Sequence, residues 1–289
     1  MSHNVERRKR IRGMLLGLHT GDSLGAPLEF GPSLPDLSHR SMTGGGSFDW
    51  RPGQATDDTD LALLVLKAIK GKSSFDLAAL RKSLVEYLDA EPVDIGNTTA
   101  SAIGRLKNGE AFGGTENEDE QGNGSLMRVA PLALLDLPDA EIISVIEQQA
   151  RLTHAHINCL VADRCFVRAL KASLNGAQLN EVRAVLLNSV LDFGPFAEHL
   201  TGAESTDWDE LPNSGWVVHS LHVLIWSLFN CESFEDALVK VVNLGGDADT
   251  NGAICGALWG AIEGVDAIPQ SWLAALERRE HFEELLKDY

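Results

Sequence analysis

Residues 243–260 read NLGGDADTNGAICGALWG, and no other stretch of the chain restricts its fold as much. Beyond Asp249 the residues include Gly252, Ala253, Gly256, Ala257, Gly260 and Ala261, so a helix here carries almost no side chain over much of its surface. Such a helix is stable only where other backbones approach it closely. It must therefore lie deep in a core, where its N-terminus can present Asp247 and Asp249 inside a pocket. Gly245 and Gly246, just ahead, permit a tight turn with positive φ.

Helical period dominates elsewhere too. LALLVLKAIK after Thr59, FDLAALRKSLVEYLDA at 75–90, AEIISVIEQQARL at 140–152, INCLVADRCFVRALKASL at 157–174 and VVHSLHVLIWSLF at 217–229 repeat apolar residues at three and four. VVNL at 241–244 is the one strand-like run, and it reads equally well as the end of a helix begun at FEDALVK. The predicted class is all-α, about a dozen helices in a compact orthogonal arrangement. No composition shift or internal repeat marks a boundary, so residues 1–289 read as one domain. Segments 31–54, 113–124 and 194–215 read as long loops, the last as a mobile one. At the N-terminus Val5, Ile11, Leu15 and Leu18 are expected to face inward, with Arg7, Arg8, Lys9, Arg10 and Arg12 on a solvated face.

The chain's 289 residues are 44% hydrophobic, enough for a large core, and its net charge of −18 argues against a broad nucleic-acid-binding face. Cys159, Cys165, Cys231 and Cys255 form no CxxC pair and read as reduced, buried thiols of a cytoplasmic protein. No apolar run suits a signal peptide or a membrane span. A monomer is expected.

Thr56-Asp57-Asp58-Thr59-Asp60 precedes an apolar helix, and Asp247-Ala248-Asp249-Thr250 repeats the design. Capping and the helix dipole account for one or two of these residues. They do not account for carboxylates this dense, which repel one another unless a cation sits among them. Oxygen ligands with no neighbouring His or Cys point to Mg²⁺, Mn²⁺ or Ca²⁺. One alternative uses the same residues. DxD after a hydrophobic run also opens the nucleophile motif of haloacid-dehalogenase-type phosphatases, with Asp247 as nucleophile, Asp249 as acid/base and Mg²⁺ bound. That motif belongs on a strand, in a chain that here reads as helical.

Six stretches carry a wider likeness: GMLLGLHTGDSLGAPLEF (13–30), TDDTDLAL (56–63), DIGNTTASA (94–102), GNGSLMRVAPL (122–132), RLTHAH (151–156) and GGDADTNGAICGALWGA (245–261). SGWVVHSLHVLIWSL (214–228) is a seventh. Together they resemble the ADP-ribosylglycohydrolases, in order and over nearly the whole chain.

The resemblance implies an all-α fold holding two Mg²⁺ or Mn²⁺ ions and hydrolysing the bond between ADP-ribose and a protein side chain, arginine above all. It implies Thr56, Asp57, Asp58, Asp249 and Thr250 as ligands of one ion, and Asp247, Asp249 and Asp58 as ligands of the other. Glu29, on a mobile loop, would contact the second ion or the reacting ribose. Glu29 or a liganding aspartate such as Asp58 or Asp249 would move the proton. Asp60 would support the ligands from behind. Two ions about 3.5–4 Å apart can grip ribose hydroxyls and activate water.

For the rest of the substrate, Gly122, Asn123, Gly124 and Ser125 are expected to open a helix whose bare N–H groups suit a pyrophosphate. His154 is the substrate-side histidine by resemblance. Asp94 and Asn97 resemble a pair that recognises the modified arginine, outside both acidic clusters. Trp216 aligns with an aromatic near the cleft, and Phe112 is a weaker candidate for stacking adenine. The expected partner is an ADP-ribosylated protein or a small molecule containing ADP-ribose. The same likeness also covers immunity proteins that neutralise an ADP-ribosylating toxin by binding it.

Overall fold

Where the sequence repeats apolar residues at helical spacing the chain is helical, and the computed structural model, which describes residues 2–289, holds thirteen α-helices among them. They are α1 (Ser2–Gly25), α2 (Asp57–Ala68), α3 (Leu77–Asp89), α4 (Asn97–Lys107), α5 (Asp139–Arg151), α6 (Ile157–Leu174) and α7 (Leu179–Leu191). There follow α8 (Gly194–Glu198), α9 (Val217–Asn230), α10 (Phe234–Val242), α11 (Ala248–Glu263), α12 (Gln270–Ala275) and α13 (Arg279–Leu285). The only ladder among the described residues is the antiparallel pair Ile69–Lys70 with Ser74–Phe75. VVNL ends α10 and is not a strand. Asp247 opens a helix, so the strand-borne phosphatase motif has no counterpart here.

The bare surface of α11 faces α1. A Cβ built on Gly17 would sit 2.2 Å from the Gly256 carbonyl oxygen, one on Gly21 would sit 1.9 Å from that of Gly252, and one on Gly13 would sit 2.1 Å from that of Gly260. At the other end a Cβ on Gly25 would sit 2.3 Å from the Ala248 carbonyl oxygen. The two helices are thus antiparallel and in backbone contact along their length, which is why Ala248–Ile262 is buried on every side. Replacing Gly252 by Ala should lower stability by about 1–2 kcal/mol in chemical denaturation. The added Cβ would lie 2.5 Å from the Gly21 carbonyl oxygen, backbone that cannot swing aside, so overpacking takes the upper part of its usual range, about 2–3 kcal/mol, and outweighs the roughly 1 kcal/mol that alanine gains in helix propensity. A neutral or stabilising result would mean the contact is looser than this.

Because α1 and α11 are antiparallel, the residues just after α1 lie beside the N-terminus of α11. The N-terminus of α2 joins them through Asp22 of α1. That carboxylate accepts from Thr56 N at 3.0 Å, Thr59 N at 3.1 Å and Thr59 Oγ1 at 2.5 Å. It takes up backbone donors that a helix start leaves unsatisfied.

Several expectations change. Val5 is 52% exposed, while Ile11, Leu15 and Leu18 are buried as read. The N-terminal cations lie on a solvated face as read, with Lys9 paired to Asp266 and Arg12 to Glu283 in water, except that Arg10 reaches the carbonyls of Ser173, Ala177 and Ala261. Segment 194–215 is packed, with Phe196, Leu200, Ala203 and Leu211 buried and Trp208 Nε1 donating to Lys240 O. The stretch after Ser125 forms two short 3₁₀ turns, Leu126–Arg128 and Ala130–Leu134, in place of the expected α-helix; Pro131, which has no N–H to donate, interrupts it. The four cysteines are free and buried. No helix among the described residues is long and apolar enough to cross a membrane.

Candidate active site

Two helix N-termini, those of α2 and α11, converge on one cleft of about 430 Å³. Thr56 caps α2, its Oγ1 accepting from Asp58 N, and Asp57 and Asp58 fill the first turn. Gly245 (φ 65°) and Gly246 (φ 61°) turn the chain into α11, with Asp247 in the cap position and Asp249 in the first turn. The turn is bare because neighbours crowd it. A Cβ on Gly245 would lie 2.5 Å from Gly31 O, and one on Gly246 would lie 2.2 Å from Asn213 O. The same turn pins the Glu29 segment: Phe30 N donates to Gly246 O at 2.7 Å and Gly246 N to Gly31 O at 2.9 Å. Glu29 is therefore held by backbone hydrogen bonds on its C-terminal side, where a mobile loop was expected.

The two clusters meet at Asp58. Its Oδ2 accepts from Thr56 Oγ1 and from Thr250 Oγ1, each at 3.2 Å, across 192 residues of chain. Its Oδ1 is buried without a partner, as are Asp249 Oδ1 and Glu29 Oε2. Asp247 is held by Asn123 Nδ2 at 2.5 Å. Glu29, Asp94 and Asp249 each offer an oxygen within 4.8 Å of the other two, which is cation-ligating spacing. The sequence placed Asp94 outside both clusters, whereas the fold brings it into them.

Burial is the first cause of every carboxyl shift here, and neighbouring carboxylates add to it. Glu29 is pushed up to about 8, with Asp94 and Asp247 the strongest neighbours. Asp22 rises to about 7 and Asp247 to about 6. Asp57, Asp58 and Asp249 are held well above the ordinary carboxylate range. The helix dipoles aimed at the site offset only part of this repulsion. Orphaned buried oxygens, convergent threonine hydroxyls and an all-oxygen donor set fit hard divalent cations.

The cleft wall opposite holds Asp94, Gly96, Asn97 and Thr99, and a second wall holds Gly122, Asn123, Gly124 and His154. Asn97 is exposed at the first position of α4, and Gly96 occupies the capping position before it. Gly122 and Gly124 make room for His154. A Cβ on Gly124 would lie 2.7 Å from His154 Cε1, and one on Gly122 would lie 3.3 Å from His154 Nε2. Ser125 does not line the cleft; it is fully buried on the side of Asp163. Trp216 stands behind the wall, its Nε1 donating to Gln121 Oε1 at 3.0 Å and its ring between His199 and His219. Phe112 is not among the residues lining the cleft.

Three features escaped the sequence. Asp22, not Asp60, supports the first turn of α2. Asp60 instead pairs with Arg278 at 2.8 Å. The polar step HTGD inside an otherwise apolar helix was the available signal. Phe30 and Phe48 line the cleft mouth edge to face, 67% and 36% exposed, and offer the aromatic surface sought at Phe112 and Trp216. Gly215, from the packed 194–215 segment, also lines the cleft beside Asp247.

The family model for ADP-ribosylglycohydrolase matches residues 3–289. The chain is 34% identical over 284 residues to the ADP-ribosyl-dinitrogen reductase glycohydrolase of Rhodospirillum rubrum, covering 93% of this chain and 91% of that protein. It is 32% identical over 291 residues to the ADP-ribosylarginine hydrolase of Pseudomonas putida, covering 96% and 77%. Among solved structures, a chain described as an ADP-ribosylglycohydrolase-related protein complex superposes with a TM-score of 0.83 at 33% identity, covering 98% and 97%.

Proposed function

The chain belongs to the ADP-ribosylglycohydrolase family, and from that premise we propose that it is a divalent-metal-dependent hydrolase that removes ADP-ribose from arginine side chains. The observation that carries this reading is the cleft floor. Asp58 Oδ1, Asp249 Oδ1 and Glu29 Oε2 are buried and unpartnered there, and Asp94 stands beside them. Thr56, Asp57, Asp58, Asp247, Asp249 and Thr250 would hold two ions, Mg²⁺ or Mn²⁺. Bound there, such ions supply Lewis-acid polarisation and activation of water.

The chain's own groups do the rest. Breaking a ribosyl C1–N bond passes through an oxocarbenium-like state, and the ring of carboxylates stabilises its positive charge in a poorly solvated site. Glu29 is placed to hold or release a proton at Oε2. A second cavity, of about 240 Å³, shares Asp57 and Asp94 with the cleft and adds Asp60, Tyr87 and Trp50. Acidic walls with aromatic faces suit a guanidinium, through paired hydrogen bonds and cation–π contact. ADP-ribose then occupies the main cleft, with Phe30 and Phe48 at its mouth, and the arginine leaves by the second cavity. Release of ADP-ribose from an ADP-ribosyl-arginine peptide in Mg²⁺ or Mn²⁺, set beside serine-linked and DNA-linked substrates, tests this. No turnover of the arginine-linked peptide would refute it.

The metal assignment has its own check. A carboxyl whose folded pKa is raised gives stability that is complete below its unfolded pKa, near 4, and is lost as pH rises through the folded value. With Asp247, Asp22 and Glu29 at about 6, 7 and 8, the chelator-treated protein should lose thermal stability between pH 5 and pH 8. Adding Mg²⁺ or Mn²⁺ should restore it, more at pH 8 than at pH 5, because the ions favour the ionised forms. A metal-free protein that gains stability over this range, or ions without effect, would contradict the assignment.

A further inference from the structure

Arg128 is wholly buried, and none of its hydrogen bonds goes to a carboxylate. Its Nε donates to Gln149 Oε1 and its Nη2 to Thr153 Oγ1, each at 2.7 Å. Thr153 Oγ1 in turn lies 2.8 Å from His154 Nδ1.

The direction of these bonds is forced. A guanidinium only donates, so Thr153 Oγ1 accepts from Arg128. The hydroxyl has one hydrogen of its own. Thr153 is buried, and Nδ1 is the acceptor it meets among the described residues. Were Nδ1 protonated, that hydroxyl hydrogen would be buried without a partner, at a cost of about 1–3 kcal/mol. Nδ1 therefore accepts, and a neutral ring must carry its hydrogen on Nε2. Burial, with the Arg128 charge nearby, pushes the His154 pKa down to about 3, so the ring is neutral. Arg128, lowered by burial only to about 10, stays charged at neutral pH. Nε2 lies at the Gly122 and Gly124 wall of the cleft, with no protein partner among the described residues.

We propose that Arg128, acting through Thr153, holds His154 as its Nε2–H tautomer, so that the ring donates a hydrogen bond to an acceptor oxygen of the ligand in the cleft. Arg128 and Thr153 are then positioning residues, and His154 neither takes a proton nor accepts a hydrogen bond at that wall. The ligand's being ADP-ribose rests on the function proposed above; the tautomer does not.

Nitrogen-15 spectra of histidine-labelled full-length protein, without nucleotide at pH 7, read the tautomer directly, with His154→Gln identifying the signals. The expected result is a protonated Nε2 and a bare Nδ1. Thr153→Val keeps the shape and removes the hydroxyl. It should give a mixture of tautomers and weaken ADP-ribose binding by the Nε2–H fraction lost, about two- to threefold for a near-even mixture. Thr153→Ser should restore both. A wild-type ring protonated at Nδ1 or at both nitrogens would overturn the proposal, and so would a Thr153→Val protein with unchanged tautomer and affinity. If Thr153→Val does not fold, the wild-type spectrum still decides. The expected tautomer in a protein that does not bind ADP-ribose would support the relay and refute the ligand.

Discussion

Asp249→Ala should lower turnover of ADP-ribosyl-arginine at least about a thousandfold while the protein stays folded. Asp249, like Asp58, is common to both proposed ion sites, and its Oδ1 has no protein partner to satisfy it. Losing the ions removes several kcal/mol of charge stabilisation, at about 1.36 kcal/mol per decade of rate. Survival of the fold follows from opposing terms on the same side chain. Alanine forfeits the favourable position of an anion in the first turn of α11, about 0.3–1 kcal/mol. It also removes a buried carboxyl whose charge is opposed by burial first and by Asp247 and Glu29 next. The thermal midpoint of the metal-free variant should therefore match or exceed that of the metal-free wild type. Asp58→Ala should behave alike, and Asp60→Ala, which breaks the pair with Arg278 and removes one acid from the wall of the second cavity, should lose far less activity than either. A variant at Asp249 retaining more than about a tenth of the wild-type rate, less than 1.4 kcal/mol of barrier, would remove it from the site.

The helices were legible because period 3.6 survives in any amphipathic segment, and the ends of α6 and α9 fall within a residue of the apolar repeats. The depth of α11 was legible from its glycines and alanines alone. Its partner was not. Gly13, Gly17, Gly21 and Gly25 recur every fourth residue in α1, matching Gly260, Gly256, Gly252 and Ala248. Spacing by four marks one face of a helix, but it does not say which other helix comes to lie against it. Pro131 stops an α-helix from forming where apolar content invited one, and the glycine-rich turn read as a phosphate cradle gives clearance to the His154 ring.

The two acidic clusters were legible because carboxylates and hydroxyls this dense exceed what capping and the helix dipole account for. What supports them was not, since the hydrogen bonds of Asp22 to Thr56 and Thr59 and of Asn123 to Asp247 join distant segments. Nothing local marks such pairs in a sequence. Asp94 is the clearest case. Its own neighbourhood, DIGNTT, reads as a turn leading into a helix, and only tertiary packing sets it beside Glu29 and Asp249.

That placement gives Asp94 two roles to separate. If it faces the guanidinium, Asp94→Ala should cost about ten- to a hundredfold in kcat/KM on ADP-ribosyl-arginine, because a charged, desolvated hydrogen bond is worth roughly 1.5–3 kcal/mol. Serine-linked ADP-ribose has no guanidinium and should lose much less. Asp94→Asn keeps the shape without the charge and should fall between. Its nearness to Glu29 and Asp249 makes metal affinity a necessary second readout. As an arginine contact, Asp94 should leave the apparent Mg²⁺ affinity of the variant within about threefold, well under the 1.4 kcal/mol that tenfold represents. As an ion ligand, it would lower metal affinity and depress every substrate by one common factor that excess metal recovers. Arginine-selective loss with unchanged metal dependence supports the arginine-linked substrate, because no other carboxylate shared by the cleft and the second cavity is as open to solvent: Asp57 is buried, and Asp94 is not.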